Sequence, residues 1–336
     1  MSPAQSSPLP AERGEGQGEG RLDPTPQPVA PRTHWARLGE RGNVFGIKAM
    51  LFAARYLGRW FFSLLLYPVM GYFFLFAKAA RQASLEYLAH LSAAVPGVKV
   101  RPTGWTSYRH FLSMGHIMLD KAMAYAGVIR LEHCVLHDHE VMNDLVQQGV
   151  GGVVLAAHLG NLEAIQAISD ENSKLRLNVL VHHRNAENFN RILQQVKPDL
   201  RVRLVEVADF GPDTMMDLTE RVKCGEWIVI SADRVPVKSD RTVEVDFLGG
   251  RAPLPVGPFV LAGLLDCPVM FLACLKLDDG RYHFFYERFA EKLSWTRATR
   301  NEVVQRSAQR YADRVAHYCA LAPLQWFNFF PFWKSS

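Results

Sequence analysis

The longest apolar run of the chain, Trp60–Ala77, contains 18 residues and no charged side chain. As an α-helix it would be about 27 Å long, which is close to the thickness of the hydrocarbon core of a bilayer. Basic residues stand on both sides, Arg55 and Arg59 before it and Lys78 and Arg81 after it. The run predicts an N-terminal hydrophobic membrane helix that either spans the bilayer or dips into it. A helix buried in the protein core is the alternative.

The apolar runs become short after a helical stretch at 78–127. Strands alternating with helices predict an α/β fold with a mostly parallel central sheet and helices on both faces. Residues 281–289 alternate between apolar and polar and predict an edge strand, and residues 132–139 predict a strand leading to a helix. The predicted buried strands are 152–157, 177–181, 202–207, 227–230 and 269–272, and the predicted helices are 161–170, 186–196, 213–224, 257–265 and 299–321.

Residues 1–33 are rich in Pro, Gly, Ser, Gln and Glu and nearly free of large apolar side chains. Such a segment cannot bury enough surface to offset the entropy of ordering, so we expect a disordered tail. It also lacks the apolar core after a basic start that marks a secretory signal. The chain is therefore divided into a tail at 1–33, a membrane-anchoring helical region at 45–90 and an α/β domain at 91–333.

Composition limits the class of partner. With 336 residues and 49% hydrophobic residues, the chain is long enough for one large domain with appendages. The net charge of +5 and the pI of about 8.9 favour anionic lipid surfaces or acidic proteins. No stripe of interleaved aromatic and basic residues is present, so nucleic acid is not an expected partner. The five cysteines are dispersed and form no CxxC pair, which indicates a reducing, cytoplasmic environment.

The candidate chemistry lies in the segment His158–Glu163, directly after a predicted buried strand. Ligands bind at the carboxyl ends of strands in open α/β sheets. Five positions on a regular helix correspond to a rotation of about 140°, so His158 and Glu163 would not share a helix face. They can meet if His158 lies in a turn before the helix, which Gly160 permits and Asn161 could cap.

In this arrangement Glu163 would accept a hydrogen bond from one imidazole nitrogen of His158. The other nitrogen would then take a proton from a hydroxyl, as a general base does. Free backbone N–H groups at the helix start could bind an oxyanion or a phosphate. The alternative is that His158 only caps the helix.

A second group of potential ligands lies in residues 132–139, which contain His133, Cys134, His137 and His139. No second ligand cluster follows in the sequence, and the segment has the pattern of a strand leading to a helix. We therefore expect no metal site here.

Several segments together resemble the bacterial lipid A biosynthesis acyltransferases of the lauroyl/myristoyl type, within the lysophospholipid acyltransferase superfamily. Ala156–Glu163 (AAHLGNLE) resembles the first motif of that family, His-x4-Asp/Glu, with Leu162 in place of the usual Trp. Val181–Asn188 resembles the second block. The third block has its counterpart in Ser231–Arg234 together with 245–249 and 255–258. The closing segment has its counterpart in 323–330. Arg234 stands where the family usually has Gln. The resemblance covers roughly residues 45–333.

The resemblance implies a glycerolipid acyltransferase-like fold with 91–333 as the acyltransferase domain. It also implies a reaction in which a fatty acyl group moves from acyl carrier protein, or from acyl-CoA, to a hydroxyl of a membrane glycolipid such as a lipid A precursor. By this resemblance the reaction would need no metal and no other cofactor, and it would take place at the cytoplasmic face of the inner membrane. By this resemblance His158 and Glu163 are the catalytic pair, and the candidate substrate-binding residues are Gly160, Asn161, Arg184, Asn188, Asp233 and Arg234.

The departures at Leu162 and Arg234 leave the acceptor open. A pigment-linked lipid of the aryl-polyene type, an aminolipid or a glycerophospholipid would be an alternative. The glycerophosphate branch normally carries a Phe-Pro-Glu-Gly-Thr block, which this chain lacks. A non-catalytic lipid-binding protein on the same fold is a further alternative, and the presence of both His158 and Glu163 argues against it.

Overall fold

The computed structural model describes residues 58–125, 128–165, 174–181, 202–206, 211–235 and 241–333. The strands within these ranges are β1 (Cys134–His137), β2 (Gly152–Ala156), β3 (Leu177–Val181), β4 (Val202–Glu206), β5 (Trp227–Ser231), β6 (Thr242–Phe247), β7 (Gly250–Pro255), β8 (Val269–Lys276) and β9 (Tyr282–Ala290). In the described part of the chain, seven of them form one sheet in the order β1-β9-β8-β2-β5-β3-β4. All neighbours in this sheet are parallel except β8 and β9. The predicted mostly parallel sheet is confirmed.

The helices within the described ranges are α1 (Gly58–Phe76), α2 (Lys78–Ala94), α3 (Gly104–Tyr125), α4 (Glu140–Gln147), α5 (Pro212–Lys223), α6 (Gly257–Leu264) and α7 (Arg300–Leu321). The predicted helical stretch 78–127 is broken between α2 and α3. Two prolines, Pro96 and Pro102, lie in the break, and proline cannot continue a helix. Gly97 between them has a φ of 91°, which turns the chain. The predicted helix at 186–196 lies outside the described residues.

Strand β2 shows why the sheet needs helices on both of its faces. All five of its residues are buried. Val153 and Leu155 belong to an apolar cluster that also contains residues of α2, α6 and α7. Val154 and Ala156 belong to a second cluster that contains residues of α3 and α4. Because successive side chains of a strand point to opposite faces, the continuous apolar run of β2 reflects burial from both sides. Helices on both faces are thus confirmed.

The prediction that residues 281–289 form an edge strand is wrong. The observed strand β9 pairs with β8 on one side and with β1 on the other, so β1 is the edge strand. The alternation in β9 arises because one face, with Tyr282, Phe284 and Tyr286, is buried, whereas the other face is only partly covered. Alternation therefore indicated a half-covered face and not a free edge.

The hairpin of β6 and β7 was not predicted. Its turn residues Leu248 and Gly249 have φ values of 48° and 75°. Two consecutive positive φ values are typical of the tight turns that join antiparallel strands. The hairpin lies against α7, where Gln309 donates a hydrogen bond to the Asp246 carbonyl oxygen.

Helix α1 packs against α3 along one side only. Met70 is buried in a small cluster with Phe111 and Leu112 of α3, whereas Tyr72 and Phe76 remain more than half exposed. Among the described helices, none alone has the length and apolarity required to cross a bilayer. The segments 62–76 and 78–94 meet this criterion only as a pair bent by 94°. The division into regions 1–33, 45–90 and 91–333 stays a prediction, and residues 1–57 lie outside the described part.

Candidate active site

Strand β2 ends at Ala156, and the chain then bends sharply through residues 158–162, here called the His158 turn. Gly160 has a φ of 67°, a conformation that side chains with a Cβ rarely adopt. A Cβ on Gly160 would also lie 1.8 Å from the carbonyl oxygen of Cys274. The backbone thus approaches β8 so closely that only glycine fits, in agreement with the turn expected at this position.

Backbone hydrogen bonds fix the His158 turn on two sides. The N–H of Asn161 donates to the Cys274 carbonyl oxygen at 2.9 Å, and the N–H of Gly160 donates to the Gln325 carbonyl oxygen at 2.8 Å. The His158 carbonyl oxygen accepts from the N–H of Phe327 at 2.9 Å. The amides of Gly160 and Asn161 are therefore already paired, so an oxyanion bound at this turn would need other donors.

The imidazole of His158 is held by Asp233. The two residues are 75 positions apart in the chain, but each follows a strand, and β2 and β5 are parallel neighbours in the sheet. The Nδ1 of His158 lies 2.8 Å from Oδ1 of Asp233, and the backbone N–H of His158 donates to Oδ2 at 2.9 Å. A carboxylate only accepts, so Nδ1 carries the proton. Nε2 is consequently the nitrogen that can accept a proton from a substrate.

Asp233 is buried, with 3% of its surface exposed. Burial would raise its pKa, but His158 and Arg234 outweigh this effect and hold the pKa at about 2. Oδ2 also accepts a hydrogen bond from the indole Nε1 of Trp326 at 3.1 Å. The Asp233 side chain is thus an ionised acceptor of three hydrogen bonds at neutral pH.

The electrostatics also keep His158 neutral. Burial lowers the pKa of His158 below its usual 6.5, and the positive charge of Arg234 lowers it further, although Asp233 acts in the opposite direction. The side chain nevertheless retains 38% exposure. A neutral imidazole that is accessible on one side can take a proton from a reacting hydroxyl at pH 7.

Arg234 lies beside this pair. Its guanidinium donates to the Phe327 carbonyl oxygen at 3.0 Å and lies over the ring of Phe330 at 5.8 Å from the centroid. It interacts electrostatically with both His158 and Asp233. Its predicted role in substrate binding stays a prediction.

The remaining predicted site residues are only partly within the described structure. Glu163 lies in the 3-10 turn Leu162–Ala164, but its side chain is outside the described part, so its pairing with His158 stays a prediction. Arg184 and Asn188 are outside it as well. The Asn161 side chain is fully buried and makes no capping hydrogen bond. It lies beside the hydroxyl of Tyr282.

A buried polar cluster near Asn161 had no signal in the sequence. Asp120 of α3 is 2% exposed and accepts a hydrogen bond from Nζ of Lys276 at 2.7 Å. The same carboxylate oxygen accepts from the hydroxyl of Tyr282. Gln325 connects this cluster to the closing segment, because its side chain bonds the backbone N–H and carbonyl oxygen of Lys276. The cluster joins α3, β8 and β9 under the His158 turn.

The histidines at 133–139 form the second group of potential ligands. Within the part of the chain that the structure describes, no group of three or more His, Cys, Asp or Glu side chains is placed to hold a metal ion. Instead, Nε2 of His137 lies 2.9 Å from Nδ1 of His283. Nδ1 of His133 accepts a hydrogen bond from the backbone N–H of Arg130.

Residues 103–335 match the model of the bacterial lipid A biosynthesis acyltransferase family. The chain belongs to this family. The match extends over the whole sheet, the His158 turn and the closing segment, whereas α1 and α2 precede it. A comparison with curated proteins gave no match.

Membership of the lipid A biosynthesis acyltransferase family indicates an acyltransferase. A neutral imidazole held by a carboxylate, as in the His158–Asp233 pair, is suited to general-base chemistry. Two hydrogen bonds of this site do not follow from the sequence motifs. The first joins His158 to Asp233, which the sequence predicts only as a substrate-binding residue. The second joins Asp233 to Trp326, which the sequence places only in the closing block. The relevant signal was present, since Asp233 follows β5 as His158 follows β2. The order of the strands in the sheet was needed to read it.

Proposed function

We propose that this protein transfers a fatty acyl group from acyl carrier protein to a hydroxyl of a membrane glycolipid, such as a lipid A precursor. Family membership supports acyl transfer in lipid A biosynthesis. The observation that carries the proposal is the 2.8 Å contact between Nδ1 of His158 and Oδ1 of the buried Asp233. This arrangement leaves Nε2 as the basic nitrogen of a side chain that is 38% exposed.

In the proposed reaction Nε2 of His158 removes the proton from the acceptor hydroxyl. The oxygen attacks the thioester carbonyl carbon, and a C–O bond forms. The C–S bond then breaks, and the thiolate of the carrier leaves with the proton returned by the imidazolium. Asp233 stabilises the positive charge of that imidazolium at a distance of 2.8 Å. The products are the acylated lipid and the free carrier thiol.

The identity of the carboxylate that supports His158 is part of the proposal. The sequence spacing favours Glu163, whereas the hydrogen bond to Nδ1 favours Asp233. We assign the positioning role to Asp233. Glu163 follows the His158 turn directly, and as the predicted partner it serves as the comparison in the test of this assignment.

The donor and acceptor both carry anionic groups, and the proposal assigns cations to them. Arg234 lies beside His158 and would bind the phosphate of the carrier's phosphopantetheine arm or of the lipid head group. Arg184, with Asn188, is proposed for the same task by its place in the second family block. The net charge of +5 would favour encounter with an acidic carrier protein.

A transfer assay tests the proposed function. The purified full chain is incubated with an acylated carrier protein, with and without a lipid A precursor in detergent, and the free thiol is measured. We expect the precursor to increase thiol release and an acylated precursor to appear in the mass spectrum. Thiol release that is the same without the precursor, and no acylated lipid, would contradict transfer to this acceptor. Lipid extracts of cells lacking the protein should lack one acylated species.

We further propose that the catalytic domain lies on the cytoplasmic face of the inner membrane, attached through α1. The face of α1 that does not pack on α3 carries Tyr72, Leu75 and Phe76, with exposures of 60%, 65% and 72%. Lys78 and Arg81 follow at its C-terminal end. An apolar face next to basic residues suits a bilayer with anionic lipids.

Vesicle flotation tests the role of this face. Replacing Leu75 and Phe76 together by serine should lower binding to vesicles of phosphatidylethanolamine and phosphatidylglycerol by at least about tenfold. Full burial of one such side chain contributes about 1.5–3 kcal/mol, and about 1.4 kcal/mol corresponds to a tenfold change in affinity. Met216 of α5 is 71% exposed, so Met216→Ser is a matched control and should bind as the unchanged protein does. Equal binding of all three proteins would show that membrane contact does not depend on α1.

A further inference from the structure

The segment 323–329, here called the C-terminal strap, pairs with the His158 turn through an isolated antiparallel bridge between Leu159 and Trp326. Gln325 and Phe327 direct their backbone groups towards the turn: the Gln325 carbonyl oxygen accepts from Gly160, and the Phe327 N–H donates to His158. Along an extended segment, backbone groups of successive residues point to opposite sides. The carbonyl group of Trp326 therefore points away from the turn.

The Trp326 carbonyl oxygen meets His110 of α3. Its distance from Nε2 of His110 is 2.9 Å, and both residues are fully buried. A carbonyl oxygen can only accept, so Nε2 of His110 carries a proton. Burial lowers the pKa of His110 to about 4, so the ring is neutral at pH 7 and Nδ1 carries no proton. This fixes one tautomer of His110.

Two serines complete the arrangement. Because Nδ1 of His110 has to accept, the hydroxyl of Ser84, at 3.0 Å, donates to it. Ser84 in turn accepts from the hydroxyl of Ser107 at 2.9 Å. Both hydroxyls are fully buried. Each hydrogen bond in the relay Ser107–Ser84–His110–Trp326 thus has a defined donor and acceptor. The relay connects α2 and α3 with the strap.

The C-terminal strap connects the relay to the His158–Asp233 pair. The indole of Trp326 donates to Oδ2 of Asp233, and Oδ1 of Asp233 accepts from His158. We propose that His110, supported by Ser84 and Ser107, is a positioning residue for acyl transfer. It holds the backbone of Trp326 from behind, so that the indole keeps Asp233 in the orientation that fixes the tautomer of His158.

A purely structural role does not account for this choice of residues. A buried apolar side chain would fill the same volume between the rings of Tyr87 and Phe329. The centroids of these rings lie 5.5 Å and 4.5 Å from the centroid of the His110 ring. It would avoid the cost of burying three polar side chains. The relay gives the Trp326 carbonyl oxygen a side-chain donor from α3, in addition to the backbone N–H of Asn328 at 2.9 Å. It thereby attaches the strap to this helix in a fixed direction.

Three variants of the full chain test this proposal, which rests on the proposed function for its first readout. His110→Phe keeps the ring and removes the donor. His110→Gln keeps a donor in the place of Nε2. Tyr87→Phe is the matched control, because it keeps the ring that packs on Trp326 and removes only the hydroxyl, which donates to the same strap at the Pro323 carbonyl oxygen.

We expect His110→Phe to lower kcat by about tenfold or more, since small displacements of a catalytic group have large effects on rate. KM for the acylated carrier should change less than about twofold, because no binding group is removed. His110→Gln should recover most of kcat, and Tyr87→Phe should keep it within about twofold. An unchanged kcat in His110→Phe, or an equal loss in Tyr87→Phe, would overturn the proposal.

A second readout does not depend on catalysis. The Nδ1 proton of His158, bonded to a carboxylate, should give a downfield proton NMR signal that His158→Ala removes. This signal should move in His110→Phe and stay in Tyr87→Phe, and it should do so even if the protein transfers no acyl group. If His110→Phe does not fold, Ser84→Ala is measured in the same way. A signal and a kcat in Ser84→Ala identical to those of the unchanged protein would overturn the proposal.

Discussion

Replacing His158 by alanine is expected to lower kcat for acyl transfer by about two to four orders of magnitude, which is the usual effect of removing a positioned general base. The fold should persist, because the side chain is 38% exposed and the turn is held by backbone hydrogen bonds to Gln325 and Cys274. Thiol release from an acylated carrier in the presence of the lipid acceptor measures the effect. His317→Ala, at an exposed position of α7, is the matched control and should retain full activity.

The pH dependence gives the same prediction a sign. The pKa of His158 is lowered below 6.5 by burial and by Arg234, so the imidazole is in its basic form at pH 7. The value of kcat/KM should therefore be constant around pH 7 and fall tenfold per pH unit once the pH is below the pKa of His158. His158→Ala should lose this acid limb together with its activity. A variant that is folded and still transfers acyl groups at the original rate would exclude His158 as the base.

The fold could be predicted to a large extent because its signals are local. The apolar run of β3 has the predicted bounds, Leu177–Val181, since a strand buried on both faces needs only a continuous apolar sequence. The break between α2 and α3 was missed, although Pro96 and Pro102 mark it. Alternation in β9 was interpreted as an edge, because the sequence shows which faces are covered but not which strand lies alongside.

The sequence predicts the part of the site whose residues lie in one short segment. His158 and Gly160 lie in a short motif after a strand, and their placement follows from that motif. The contact between His158 and Asp233 depends on the parallel pairing of β2 with β5, which no local pattern contains. The contact between His110 and Trp326 spans 216 positions. It exists because the strap returns to the His158 turn after the whole sheet has formed.

Asp233→Asn is expected to lower kcat by about two to four orders of magnitude, although it changes a single atom. Oδ2 accepts two hydrogen bonds, from the backbone of His158 and from Trp326, and Oδ1 accepts one from Nδ1. Asparagine has one acceptor oxygen, which satisfies more donors at the Oδ2 position. Its NH2 group would then face Nδ1 and donate to it. The proton of the neutral imidazole would move to Nε2, which could no longer accept a proton from the acceptor hydroxyl.

Parallel measurement of Glu163→Gln decides between the two carboxylates. If Asp233 positions His158, Asp233→Asn shows the large loss of kcat and Glu163→Gln a smaller one. The acid limb of Asp233→Asn should also move to lower pH, because Asp233 raises the pKa of His158. Asp246→Asn, at an exposed carboxylate, controls for the loss of one charge. A large loss in Glu163→Gln with full activity in Asp233→Asn would return the positioning role to Glu163. It would also mean that the hydrogen bond between Asp233 and Nδ1 is not needed for the reaction.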